Sequence, residues 1–423
     1  MKRLLFILVI ASLLLAGCGG GKAPAASTAP AEISMMMWGD PAELGVWNQI
    51  VADFHQANPN ITVKVEVSDW DSYWTKLKTM LSAGTPPDVF AMDAPLYLDY
   101  QSRGVLLNLQ PYLDKNPDML KGVYPQTLDA YKTPDGMYGL PRDFQTIALF
   151  YNKDMFDAAG VAYPTANWTY DDLRNAAKSL TKVGSDGKTT QFGIYSDLWD
   201  MELIWSEALW AYGGDVINAD HTKTLIGETK AREAWQFFHD MMFVDKSWPT
   251  STTAGEYGGD PFLAGVAAMT TIGHWAVPGY AEAKFKWDVA PMPKGPAAQA
   301  TSVNSAGFVV GKASKSPDAA FEFLKYVLSV PAQTRLAELG FACPVLKSVA
   351  ESDAFLKQST QINQQVFLDS LAFARMKPVF KGYDEWSSTI GDGMASIWTG
   401  EAELSPTLDT VIPAADEVLA NNK

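Results

Sequence analysis

Apolar and polar positions alternate along this chain in two different periods, and the periods switch often. Ile33-Ser34-Met35-Met36-Met37-Trp38 is a short apolar run suited to a buried strand. Asp40 then caps a predicted helix, with Pro41 at its first position and Leu44, Trp47, Ile50, Val51 and Phe54 recurring at helical spacing up to Asn58-Pro59. Ile61, Val63, Val65 and Val67 alternate with Thr62, Lys64 and Glu66, the pattern of a strand covered on one face. Strand, helix and strand this close together make a βαβ unit and predict a parallel sheet. A helix through Tyr73, Trp74, Leu77, Met80 and Leu81 leads to the strand 88–92, continuing the same α/β alternation.

Farther on, 140–152 reads as one extended segment, followed by a short helix closed by Gly160. Thr169 and Asp172 have the spacing of a capping box opening a helix to about Leu180. Helical patterns fill 198–211 and 229–243, and 267–273, 286–293 and 307–312 read as strands. From 331 onward the pattern is helical almost throughout. No fixed-period repeat is present, which excludes solenoids and propellers.

The N-terminus follows a different pattern. Lys2 and Arg3 precede an apolar run from Leu4 to Ala16, too short to cross a ~30 Å hydrocarbon layer as a helix, so it reads as an export signal. The run ends in Leu15-Ala16-Gly17-Cys18, which resembles the lipobox of bacterial lipoproteins. That resemblance implies cleavage after residue 17, acylation of Cys18 and attachment to a membrane through the lipid anchor only. The small, Pro-dotted stretch 18–31 reads as a flexible tether of roughly 20 Å reach. The other cysteine, Cys343, has no partner for an internal disulfide and is expected in the core.

With 423 residues, two domains or lobes are expected. Net charge is −15, which argues against nucleic acid, whose binders need a basic footprint. No P-loop, GxGxxG or HExxH occurs, so no cofactor or metal is expected. Fourteen tryptophans are a large supply of flat, half-polar contact surface, of which Trp47, Trp74 and Trp235 lie on apolar helix stripes and are expected in the core.

Several phrases go further. The segments KLKTMLSAGTPPDVFAM (76–92), SRGVLLNLQPYL (102–113), YGLPRDFQTIALFYNKDMFDAAGV (138–161), NWTYDDLRNAAKSLT (167–181), FLAGVAAMTTIGHWAV (262–277), WDVAPMPKG (287–295) and SPDAAFEFLKYVLSVPAQ (316–333) run in one order along nearly the whole mature chain. In this the chain resembles the extracellular solute-binding proteins of bacterial ABC importers, specifically the carbohydrate-binding family that includes maltose-binding protein. The resemblance implies an α/β, two-lobed periplasmic-binding-protein fold (type II-like), each lobe a mostly parallel sheet flanked by helices, with the ligand cleft between them. It places the N-terminal lobe at 32–142 plus 286–329 and the C-terminal lobe at 143–285 plus 330–423. It further implies a monomer on the outer face of the cytoplasmic membrane, or on the periplasmic side where an outer membrane is present. There it would receive a carbohydrate and deliver it, without turnover, to the transmembrane subunits of the permease.

A sugar presents hydroxyls at its edge and C–H groups on its faces, so its site needs carboxylates, amides or guanidinium together with aromatic planes on loops. Loop positions that offer these are Trp38 and Asp40 after the first strand, Trp70 and Asp71 after the second, and Asp93 after the third. Trp199 and Asp200 open a helix, and Asn304 lies where the chain re-enters the sheet. By the resemblance, Arg142 and Asp143 lie at a hinge facing the cleft, Trp275 holds a sugar-stacking position, and Trp386 with Tyr383 lies where another stacking aromatic belongs. Both Asp40 and Asp71 also fit as helix caps. A polyamine, glycerophosphodiester or metal ligand is the alternative within binding proteins; a surface glycoside hydrolase, needing two carboxylates about 5–9.5 Å apart, is the alternative outside them.

Overall fold

A computed structural model describes residues 30–422; the signal segment, Cys18 and the tether through residue 29 lie outside the described residues. In chain order the elements that position the site begin with β1 (Ala31–Trp38), α1 (Pro41–Ala57), β2 (Ile61–Ser68), α2 (Trp70–Ser82) and β3 (Val89–Asp93). They continue with β4 (Gly139–Pro141), β5 (Gln145–Thr146), β6 (Ala148–Asn152), α3 (Lys153–Ala159), a π-helical turn (Met201–Trp205) and α4 (Ser206–Tyr212). After these come β7 (Met269–Ile272), β8 (Trp287–Pro291), β9 (Thr301–Asn304), β10 (Ala306–Val310), α5 (Val330–Glu338), β11 (Ala374–Met376) and α6 (Tyr383–Thr399).

The first sheet has the order β2-β1-β3-β10-β4. β1 pairs in parallel with β2 and β3, because helical crossovers return each strand in the same direction. β10 arrives from the other lobe and runs antiparallel to both β3 and β4. The methionine run of β1 is buried on both faces, since α1 and α2 pack against the sheet. α1 starts where the spacing predicts, with the Asp40 carboxylate accepting the amides of Ala42 and Glu43 at 2.7 and 2.9 Å.

The second lobe is built differently. β6 lies between β7 and β8 and runs antiparallel to each, so among the described residues the expected parallel character appears here only in isolated bridges from Thr169, Phe192 and Tyr195 onto Lys294, Ala267 and Thr270. A third, small sheet, β11-β9-β5, lies between the lobes. β5 sits between β4 of one lobe and β6 of the other, and β9 between β8 and β10, so two crossings of the chain pair with each other at Val303–Thr146 and Asn304–Gln145. The segment 140–152 therefore divides among three sheets instead of forming one strand.

The lobe boundaries shift accordingly. Residues 287–291 pair with β6 residue by residue, so this stretch belongs to the second lobe, and the return to the first begins at about Ser305. Past residue 330 the chain stays with the first lobe: α5 packs on α1, with Arg335 paired to Asp53 at 2.9 Å. Gln365–Asp369 then packs on β8, back in the second lobe. An apolar strand carries no label for its sheet; only the pairing partner decides, and that partner is distant in sequence. β11 also interrupts the helical reading of the C-terminal third, parallel to β9. Among the described residues no helix is long and apolar enough to cross a membrane.

Candidate functional site

Where β3, the π-helical turn, β9 and the residue after β11 converge, four polar side chains are buried together. Lys377 Nζ meets a carboxylate oxygen of Glu202 and lies 3.7 Å from Asp93 Oδ2. Asn304 Nδ2 donates to Asp93 Oδ1 at 2.7 Å and toward Glu202 Oε2 at 3.4 Å. Asp93 comes from the first lobe, Glu202 from the second, and Asn304 and Lys377 from the strands between. Burial pushes the Glu202 carboxyl up to about 7 against the pull of Lys377. Burial would likewise drive the Lys377 ammonium down, but Glu202 and Asp93 outweigh it and hold it well above its ordinary value.

Asp93 and Lys377 of this cluster form the floor of a cavity of about 90 Å³ lined also by Trp70, Leu96, Trp199, Asp200, Met201, Trp205, Tyr383, Asp384, Ser387 and Ser388, with Glu202 and Asn304 behind it. That volume is small beside the ~300–1,000 Å³ of most ligand pockets, so an incoming ligand needs the lobes to part. Contacts that join them in this conformation include Lys78 with Asp384 at 3.1 Å and the Gly382 amide donating to Asp99 Oδ1 at 2.6 Å.

Trp70 and Trp199 are large aromatics that remain 44% and 45% exposed, one on each lobe. Trp70 opens α2 and is backed by Trp38 and Trp74, edge to face at 5.0 and 5.4 Å. Trp199 is fixed by polar contacts instead. Its Nε1–H donates to Asp392 at 2.8 Å, and its ring lies on Gly391 of α6, where a Cβ would come within 2.7 Å of Nε1. Asp200 caps the π-helical turn through the Glu202 amide at 2.9 Å, which fixes where Glu202 starts.

Of the residues expected from sequence, Trp70, Asp93, Trp199, Asp200 and Tyr383 line this cavity, and Asn304 braces its floor. The others are placed elsewhere. Trp386 is fully buried, with its Nε1–H donating to Thr224 Oγ1 at 2.9 Å and its ring against Phe380, so it packs the second lobe. Trp275 is half-buried in the turn after β7, folded back over Gly273, and does not line the cavity. Trp38 stands behind Trp70. Asp40 is a helix cap, and Asp71 is an exposed first-turn residue of α2, whose cap is Asp69.

Arg142 and Asp143 pair with each other at 3.0 Å, both almost completely buried. The guanidinium is ringed by Trp38, Trp47, Phe308 and Phe341, with ring centres 5.3–5.6 Å away, and so is closed off from the cavity. Burial pushes the Asp143 carboxyl up, with Arg142 opposing. Sequence reading missed Lys377, Glu202, Ser387 and Ser388. For Lys377 a signal existed: it is a single charge flanked by Met376, Pro378, Val379 and Phe380, an apolar setting that a solvated lysine does not need.

The sequence profile of the bacterial extracellular solute-binding proteins matches residues 38–334. A binding protein of Brucella abortus is 28% identical over 401 residues, covering 93% of this chain and 95% of its own. The maltodextrin-binding protein MdxE of Bacillus subtilis is 26% identical over 339 residues, 76% of this chain and 75% of its own. An ABC substrate-binding protein of Listeria monocytogenes, solved in complex with cycloalternan, superposes with a TM-score of 0.85 at 27% identity, covering 92% of this chain and 99% of that one.

Proposed function

The chain belongs to the bacterial extracellular solute-binding protein family, and from that premise we propose that it captures a mono- or oligosaccharide between its lobes and delivers it to the membrane subunits of an ABC importer. The observation that carries this reading is the pair of half-exposed indoles, Trp70 and Trp199, on opposite lobes above a buried polar floor. Exposed tryptophan in a cleft supplies the flat apolar face a pyranose needs, while Asp200, Asp384, Ser387 and Ser388 supply edge partners for hydroxyls. Relatives described as maltodextrin-, galactooligosaccharide- and maltotriose-binding support the same ligand class.

The carboxylates of the floor favour binding over hydrolysis. Asp93 is engaged by Asn304 and Glu202 by Lys377, and Glu202 does not itself line the cavity, so the two carboxylates do not face each other across a bound glycosidic bond. Cys18 acylation would keep the monomeric receptor on the outer face of the membrane, within reach of its permease. Incorporation of labelled palmitate, lost in Cys18→Ala, tests the anchor. Calorimetry of the soluble chain against malto-, galacto- and chito-oligosaccharides tests the ligand class. One sugar per chain with no release of reducing ends is expected; silence across the panel rejects the reading.

A further inference from the structure

The Lys377 ammonium carries three N–H donors, and only one of them has a hydrogen-bond partner among the described residues, a carboxylate oxygen of Glu202. Asp93 Oδ2, at 3.7 Å, contributes charge but lies beyond hydrogen-bond distance. A buried ammonium is costly unless it is both neutralised and bonded. Here one carboxylate from each lobe more than balances the ammonium's charge, while donor capacity is left over. The same Lys377 lines the cavity between Trp70 and Trp199. Spare donors on a neutralised cation, inside a cleft, call for a ligand that brings acceptor oxygens and no charge.

We propose that Lys377 is the hydrogen-bond donor to the ligand at the cleft floor, with Glu202 and Asp93 positioning and neutralising it, so that the site selects neutral polyhydroxyl ligands over anionic and cationic ones. This rests on the sugar-binding reading and adds the residue and the charge rule. An anionic ligand would meet Asp93, Asp200 and Asp384 in the lining, around one lysine already paired with Glu202. A polyamine would have to place an ammonium beside Lys377 while Asp93, Glu202 and Asp384 are already engaged by Asn304, Lys377 and Lys78. Neither cost applies to a hydroxyl oxygen.

Glu202 faces Lys377, Asp93, Asp200 and Asn304, and its carboxyl, raised by burial, sits at about 7. As pH falls through that value Glu202 takes up a proton and Lys377 loses the carboxylate that holds its ammonium in place at the cleft floor. Affinity for a neutral sugar therefore falls from pH 8 to pH 6.

The test is calorimetry on the soluble chain with maltotriose, a galacto-oligosaccharide and diacetylchitobiose as neutral probes. Each also serves in a form oxidised to the C6 carboxylate, and spermidine and glycerophosphocholine serve as charged solutes. At least one neutral sugar binds, and its carboxylate form and the charged solutes bind at least about tenfold more weakly. Lys377→Met loses at least about tenfold for the neutral sugar. Because this variant strands two buried carboxylates, Glu202→Gln provides a second arm: it keeps the fold and flattens the pH profile between 6 and 8. Lys377→Met binding as tightly as the parent, or a parent pH profile as flat as that of Glu202→Gln, overturns the assignment while leaving the sugar reading intact. A parent chain that ignores every neutral sugar and takes spermidine or glycerophosphocholine overturns both.

Discussion

Two buried ion pairs lie near the junction of the lobes, and they behave as opposites. Arg142–Asp143 is enclosed by four aromatic rings and has no face on the cavity. Lys377–Glu202–Asp93 is equally buried, yet its lysine lines the cleft and keeps donors unspent. The first ties the hinge-side end of β4 to the core of one lobe; the second joins groups from both lobes beneath the ligand. Burial and charge alone do not separate a structural pair from a functional one. What separates them is whether the unused hydrogen-bonding capacity faces packed rings or a cavity.

The largest expected effect is on the sealed pair. Arg142→Ala leaves Asp143 buried without its cation, and denaturant unfolding should show a loss of about 3–5 kcal/mol while sugar affinity of the folded fraction is unchanged. A large affinity loss with little destabilisation would place Arg142 in the cleft and dissolve the comparison.

Glu207 extends the comparison to a carboxyl with no cation at all. It is fully buried, takes the Ser302 amide at 2.9 Å and lies 3.0 Å from Ser206 Oγ, and burial raises it from 4.5 to about 8. Its protonated form is the one the fold prefers, so its contribution to stability is complete below about 4.5 and is lost as pH rises through about 8. Glu207→Gln should therefore lose less stability than the parent across that interval, the gap growing by up to about 1.4 kcal/mol per pH unit. Melting curves at pH 5, 7 and 9 check this, and parallel curves would show that the carboxyl is solvated.

On the cleft side, Trp199→Ala should weaken sugar binding by about 10–100-fold with little change in melting temperature, since the ring is half exposed. Equal affinity would remove Trp199 from the site. The smallest effect is expected from Gly391→Ala. The added methyl displaces the Trp199 ring, lowering affinity several-fold, while helix propensity favours the variant by up to about 1 kcal/mol. Opposite signs in calorimetry and thermal unfolding are the signature; a shared sign would mean Trp199 is not seated on α6.

Many helix boundaries in both lobes were legible because their signals are local. Asp40, Pro41 and the apolar spacing to Phe54 specify α1 within a few residues, Thr169 and Asp172 form both halves of their capping box, and Gly160 takes the left-handed conformation that ends α3. The cleft residues that could be read were those at strand ends and helix starts: Trp70, Asp93, Trp199, Asp200, Asn304 and Tyr383. Trp386 was misread because an aromatic near a helix start has the same local signature whether it points into the cleft or the core. Its orientation depends on Thr224 and Phe380, and only Phe380 is near it in sequence.

What the sequence by itself determined is therefore the alternating α/β character, the helix boundaries and the family, all carried by short-range periodicity or by ordered phrases along the chain. The tertiary structure alone decided which strands share a sheet, where the lobes divide, and that Asp93, Glu202, Asn304 and Lys377 meet. The first three of these lie 100 or more residues apart, and Lys377 a further 73 beyond Asn304. No local interaction connects them; they come together because the chain crosses between lobes and β9 pairs with β11 on one side and β5 on the other.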